Sequence, residues 1–158
     1  MLELIGVMVV IGILLGIAGF SVVKQTKRAN RESVANTLQM YATALSEAYY
    51  DLGSFKIGAT DAETEANFTS WIEIVANEYL TVDLDMGSIE KSGSSFKVTS
   101  KTPLDSWEQP YIFWFHASET ERPYALIVSG GENGIVDPWD LANDNVGDDI
   151  ITVVHPKI

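Results

Sequence analysis

The stretch that decides the fold reads Leu4-Ile-Gly-Val-Met-Val-Val-Ile-Gly-Ile-Leu-Leu-Gly-Ile-Ala-Gly-Phe-Ser-Val-Val23, and it holds no charged side chain. About 20 apolar residues in helical form span roughly 30 Å, the thickness of a bilayer core. A secretory signal peptide would begin with basic residues, whereas Glu3 precedes this run and the basic residues follow it: Lys24, Lys27, Arg28 and Arg31. The stretch therefore predicts a transmembrane helix; the positive-inside rule, applied simply, would place the basic flank on the cytoplasmic side.

The helix is predicted to continue well past the apolar run, because residues 24–50 contain neither Pro nor Gly. Six apolar residues in this part recur at helical spacing and form one stripe: Val34, Leu38, Tyr41, Ala42, Leu45 and Tyr49. Asp51-Leu52-Gly53 is typical of a helix end. We predict one helix over residues 1–52, about 75 Å long at 1.5 Å per residue. Its first half is apolar all round, and its second half is amphipathic.

The rest of the chain predicts a small globular head. Residues 63–80 have helical periodicity, and residues 83–95, rich in Gly, Ser and Asp, predict a loop. Runs of β-branched and aromatic residues predict strands at 96–100, 111–115, 124–129 and 150–154. A long helix, a short helix and then three or four strands favour an α+β fold with an antiparallel sheet on the helix. We divide the chain into residues 1–23, the hydrophobic half of the helix, and residues 24–158, the head with a C-terminal acidic loop.

Composition excludes several classes of function. The net charge is −12, so nucleic acid is not expected as the main ligand, since phosphate recognition depends on Lys and Arg. The chain has no Cys, which excludes disulfides, thiolate metal sites and a Cys nucleophile. His116 and His155 lack the spacing of metal ligands, and no nucleophile-elbow motif is present. We therefore expect no enzymatic activity.

Gly12, Gly16 and Gly19 lie inside the apolar half of the helix. Each costs about 1 kcal/mol relative to Ala in a helix. They favour either close helix–helix packing or local unwinding, although glycine is also common in ordinary membrane helices.

The N-terminus resembles the type IV pilin family. Glu3 is followed nine residues later by Gly12, within Val9-Val10-Ile11-Gly12-Ile13-Leu14, and the glutamate and glycine of the family have the same spacing. The resemblance covers about the first 20 residues. In the family the glutamate is the fifth residue of a mature chain that begins with an N-methylated aromatic, whereas here it is the third, and many members have Pro where Phe20 stands here. We therefore expect this numbering to begin inside the mature chain, whose methylated N-terminus and basic leader would precede it.

The resemblance implies a type IV pilin fold and a polymer, with Glu3, Gly12, Gly16 and Gly19 as assembly residues. Glu3 would pair with the N-terminal amine of a neighbouring subunit, which neutralises both charges in the filament core. The alternative is a solvated glutamate at the membrane interface. The basic residues 24–31 would contact lipid headgroups before assembly and acidic neighbours after it, or they form a solvated face.

A second resemblance covers the C-terminal half. Asp105-Ser-Trp-Glu-Gln-Pro-Tyr111 is similar to a motif of the major pseudopilin of type II secretion, although these residues also suit packing and a turn. Ser129-Gly-Gly-Glu-Asn-Gly134 and Asn145-Val-Gly-Asp-Asp-Ile150 resemble the calcium loop of the same lineage, with Asn133 in place of the usual Asp. The resemblance implies a calcium ion as cofactor, held by Ser129, Asn133, Asp144, Asp148 and Asp149. Most acidic runs are solvated turns, and that alternative stays open.

Three functions follow as expectations. The first is a structural subunit of a type IV pilus, or fimbrium, at the cell surface. The second is the major pseudopilin of a type II secretion system, which forms a short periplasmic filament for protein export. The third is a membrane-anchored calcium-binding domain that does not polymerise. For the first two, the subunit would span the inner membrane once before assembly, then form a homopolymer with help from pilus or secretion machinery.

Overall fold

The structure of the chain is a computed structural model that describes residues 2–80, 85–92, 95–117, 123–136 and 149–154. Within its helices and strands, the side chains of residues 2–6, 9, 10, 12–21, 85, 86 and 92 lie outside this description. The described elements are α1 (Leu2–Leu52), α2 (Asp61–Ile74), a π-helical turn (Val75–Tyr79), β1 (Asp85–Ser92), β2 (Ser95–Leu104), β3 (Pro110–His116), β4 (Tyr124–Ser129) and β5 (Ile150–Val154).

The long predicted helix is confirmed as α1, a single helix of 51 residues. Its backbone passes through Gly12, Gly16 and Gly19 without a break. The helix ends where predicted, because Gly53 adopts a φ of +73° that a side chain would disfavour. The Gly53 N–H donates to the Tyr49 carbonyl at 3.1 Å, and this bond satisfies one of the last carbonyls of the helix.

The second helix begins two residues earlier than predicted, at Asp61, since Thr60 caps it. The Thr60 side chain accepts a hydrogen bond from the Glu63 N–H at 3.2 Å, and the Glu63 carboxylate accepts one from the Ala59 N–H at 2.9 Å. This reciprocal pairing resembles a capping box. The Trp71 indole N–H donates to the Gly53 carbonyl at 2.9 Å and so fixes α2 to the end of α1.

All five described strands form one antiparallel sheet in the order β1-β2-β3-β4-β5. The four predicted strands are confirmed, and β2 extends further than predicted, to Leu104. The prediction of a loop over residues 83–95 is wrong, because Asp85–Ser92 forms β1. Pairing with β2, from Ser92 with Ser95 to Asp85 with Thr102, overrides the weak strand propensity of its Gly, Ser and Asp residues.

The core lies between the inner face of the sheet and one side of α1, with α2 closing the end. The predicted apolar stripe is confirmed, since Val34, Leu38, Tyr41 and Leu45 are all buried. The Phe68 ring of α2 stacks on Phe96 with a centroid distance of 4.1 Å and meets three further aromatic rings: Phe55, Trp71 and Phe115. The chain is therefore an α+β protein whose sheet packs on the second half of α1.

The first half of α1 has a different environment. Its described apolar side chains are exposed by 49% to 67%: Val7, Met8, Ile11, Val22 and Val23. Among the residues that the structure describes, no helix combines the length and the apolar character needed to cross a bilayer. Most side chains of the predicted transmembrane run, residues 4–23, lie outside the described ones.

Replacing Phe68 by Ala is expected to lower the free energy of unfolding by about 3–5 kcal/mol, because the change leaves a cavity among four aromatic rings. Urea unfolding of the detergent-solubilised chain, followed by tryptophan fluorescence, measures the loss. The control is Glu65→Ala at an exposed site of the same helix, with an expected change below about 0.5 kcal/mol. Equal losses in the two variants would contradict this core.

Candidate functional site

The predicted assembly residues all lie on the first half of α1. The backbone at Glu3, Gly12, Gly16 and Gly19 is helical. The Glu3 side chain lies outside the described residues, so its pairing with an amine stays a prediction.

The helix α1 leaves the head close to residue 30, and we call this position the exit point. Residues 22–29 are all exposed, and the first fully buried side chain along the helix, among those described, is Val34. Two contacts mark the exit point. Lys27 pairs with Glu132 at 2.9 Å, and the Asn30 amide donates to the Ser106 carbonyl at 3.5 Å. Both partners belong to loops at the end of the sheet nearest the first half of α1.

Asp105 is the centre of the loop that faces this exit point. Its side chain is only 7% exposed. One carboxylate oxygen accepts hydrogen bonds from the N–H groups of Trp107 at 2.8 Å and Gln109 at 2.9 Å. The other accepts from the Ser129 hydroxyl at 2.5 Å. A buried carboxylate with several donors is well satisfied, so Asp105 joins the β2–β3 loop to the end of β4.

Two further contacts extend this network to the helix. The Ser100 hydroxyl accepts from the Tyr111 N–H at 2.9 Å. The Tyr111 ring meets the Tyr41 ring of α1 edge-on, with centroids 5.5 Å apart. The packing role predicted for Tyr111 is thus confirmed. The sequence analysis named Asp105 only as part of a motif and missed its role, although an Asp at the start of a turn is a signal for side-chain to backbone hydrogen bonds.

The turn after β4 packs against the Asp105 loop. Gly134 has a φ of +67°, and a Cβ there would lie 2.9 Å from the Gln109 side chain, so only glycine suits this close approach. The Asn133 side-chain oxygen accepts from the Ile135 N–H at 2.7 Å. This bond is typical of an Asx turn.

The candidate calcium ligands are only partly described. Asp144 and Asp148 lie outside the described residues, whereas Ser129, Asn133 and Asp149 lie within them. The Ser129 hydroxyl donates to Asp105, and the Asn133 oxygen closes its own turn. In the described ranges, no group of three or more His, Asp or Glu side chains is arranged to hold a metal ion.

A set of carboxylates lies at the opposite end of the head, where α1 ends. The Tyr79 hydroxyl, in the π-helical turn, donates to Asp51 at 3.1 Å. Desolvation raises the pKa of Tyr79, and the hydrogen bond and negative charge of Asp51 raise it further, followed by the charges of Glu78 and Glu47. Three carboxylates therefore act on one hydroxyl, and this end of the head is strongly acidic.

We compared the chain with models of protein families, with curated proteins and with solved structures, and none of them matches it.

Replacing Asp105 by Ala is expected to lower the free energy of unfolding by roughly 2–4 kcal/mol, because three donors near a buried site lose their acceptor. Asp105→Asn keeps one oxygen and should cost less than Asp105→Ala. The exposed neighbour Glu108, changed to Gln, is the control and should leave stability nearly unchanged. Thermal unfolding of the three variants measures the order, and an Ala variant as stable as the control would refute the role given to Asp105.

Proposed function

We propose that this chain is the structural subunit of a helical filament of the type IV pilus kind, with α1 as the polymerising element. One observation carries the proposal: α1 is an unbroken helix of 51 residues, and the described head packs on its second half only. The sequence of the first half, residues 4–23, has no charge. An apolar helix of this length needs either lipid or other helices around it.

The free energy of apolar burial supports lipid around the single subunit and other helices around the assembled subunit. Burying apolar surface is favourable by about 25 cal/mol per Å², so exposure of the whole run to water is costly. A bilayer of roughly 30 Å matches the length of the run and suits the single subunit. A bundle of identical helices replaces lipid contacts with close packing, which Gly12 and Gly16 favour by letting backbones approach. The type IV pilin resemblance of the N-terminus supports the bundle as the final state.

Glu3 would control the transfer from lipid to filament. A carboxylate beside an apolar helix is costly to bury unless a positive charge neutralises it. In a head-to-tail stack of parallel helices, the N-terminal amine of the next subunit can supply that charge. The pair would then fix the axial register between subunits.

Replacing Glu3 by Gln is expected to block filament assembly while membrane insertion continues, because the amide cannot neutralise the neighbouring amine. The yield of sheared filaments and the amount of chain in the membrane fraction measure the two steps separately. The matched control is Glu73→Gln, which removes one exposed carboxylate from the head. Normal filaments from the Glu3 variant would refute the pairing.

The C-terminal resemblance favours a second candidate, the major pseudopilin of type II secretion. The observation behind it is that Asp105–Gln109, within the stretch similar to the pseudopilin motif, folds as a hydrogen-bonded turn at the exit point of α1. Long filaments made at native expression favour the pilus, and a short periplasmic filament favours secretion. A chain that stays monomeric in its native membrane would instead support an anchored domain that does not polymerise.

We also propose that the head binds a calcium ion. The Ser129 hydroxyl and the Asn133 oxygen already serve contacts within the head, so an ion here would depend on carboxylates and main-chain carbonyls. Asp144, Asp148 and Asp149 are the carboxylates that the resemblance implies. An ion bound by them would hold the start of β5 close to the turn after β4.

Removing calcium with a selective chelator is expected to lower the unfolding temperature of the chain, because a ligand at 100 times its Kd stabilises the folded state by about 2.7 kcal/mol. Scanning calorimetry with chelator, and again after calcium is restored, measures the effect. The Asp148→Asn variant should unfold at the chelated temperature under both conditions. An identical unfolding temperature of the unmodified chain with and without chelator would rule calcium out.

A further inference from the structure

We propose that the acidic end of the head is a docking surface for the basic segment of α1 from a second copy of the chain. The acidic end consists of the exposed face of α1 around Glu47 and Asp51, with Glu78 beside it. The basic segment is residues 24–31 of α1. The inference rests on the proposed filament and adds the identity of one contact between its subunits.

The docking surface is an open groove along α1. Two adjoining hollows, of about 340 and 440 Å³, share Thr43 and Ser46 as lining residues. One hollow continues to β5, at the edge of the described sheet, and the other continues along the helix to Tyr50 and Asp51. Tyr50 is 79% exposed and Met40 is 50% exposed. This exposed side of α1 therefore offers apolar as well as polar contacts to a second helix.

The groove carries negative charge that the described part of the head does not balance. Glu47 and Asp51 line it, and Glu78 lies close enough to act on the same Tyr79 hydroxyl. Within the described ranges, no Lys or Arg lies within 4 Å of these three carboxylates. A positively charged occupant would thus find full charge complementarity.

The basic segment has the matching properties. Lys24, Arg28 and Arg31 have i, i+4 and i+7 spacing, so they share one face of α1. Residues 22–29 are exposed, which leaves the segment free for a partner. Lys27 is paired with Glu132 of its own head, and Arg28 has only a fully solvated pair with Glu32. Such exposed pairs contribute little and exchange readily.

A single chain cannot make this contact, because both surfaces belong to one helix. Arg28 and Asp51 are 23 residues apart, which is about 35 Å along the axis. Two parallel copies shifted by about 35 Å bring the basic segment of one beside the groove of the other. This contact is heterologous, so repeating it produces an open filament rather than a closed ring.

A zero-length cross-linker tests the contact in filaments of the unmodified chain. A carbodiimide activates a carboxylate, the Lys24 amine then forms an amide with it, and the reagent leaves as its urea. Mass spectrometry of the digested filaments should find Lys24 joined to Glu47 or Asp51. Because about 35–40 Å of helix separates these residues within one chain, such a product must join two chains. Detergent-solubilised monomers are the control and should lack it.

A charge swap tests whether the contact stabilises the filament. Arg28→Glu and Asp51→Lys should each raise the critical concentration for assembly by about tenfold, since each replaces attraction with repulsion. The double variant should recover most of the loss. The matched control combines Arg28→Glu with Glu65→Lys, which has the same net charge but changes an exposed residue of α2 outside the groove. That control should not recover.

Each result has a defined meaning. The Lys24 cross-link together with recovery by the swap supports the docking surface. Filaments that lack the cross-link, or a swap that recovers no better than its control, overturn this contact while the proposed function stands. Normal filaments from Arg28→Glu, with weaker binding to vesicles of anionic phospholipid, would assign the basic segment to lipid instead. If the unmodified chain forms no filament, both the contact and the proposed function fail.

Discussion

The structure depends on the different surroundings of the two halves of one long helix, α1. The second half of α1 buries Val34, Leu38, Tyr41 and Leu45 under the sheet. The first half offers Val7, Met8 and other apolar side chains to whatever surrounds it. The backbone of α1 is continuous, so the apolar half and the segment under the sheet belong to one helix.

The junction between the two halves is reinforced by polar contacts. Asp105 gathers the loop before β3 and the end of β4. Lys27 and Asn30 then connect these loops to α1 at the point where the helix leaves the head. The exposed ion pair contributes little stability by itself, whereas the buried carboxylate contributes more.

Periodic elements could be predicted from the sequence, and contacts between distant residues could not. The apolar stripe of α1 and the alternation in β3 and β4 repeat at their own periods, so local pattern was enough for both. β1 was missed because its Gly, Ser and Asp residues favour a loop locally, and only pairing with β2 stabilises it. Gly93-Ser94, between two runs of strand length, was the available signal for a hairpin.

The same contrast between local patterns and contacts of distant residues applies to the candidate sites. The spacing of Glu3 and Gly12 is local and could be identified from the sequence. The hydrogen-bond network around Asp105 depends on Ser129, 24 residues away. The acidic end of the head exists because α2 and the π-helical turn bring Tyr79 back to Asp51, 28 residues earlier. The charge pattern of the sequence offered no reason to group Glu47, Asp51 and Glu78.

The most direct measurement is cryo-electron microscopy of filaments sheared from cells that express the chain with its assembly machinery. The account requires a core of closely packed parallel helices, formed by the first half of α1, with the heads arranged around it. Density of that kind, in which the α1 sequence can be traced through residues 2–52, is the expected result. Recovery of the chain only as a membrane monomer, or filaments whose core is formed by the sheets of the heads, would contradict it.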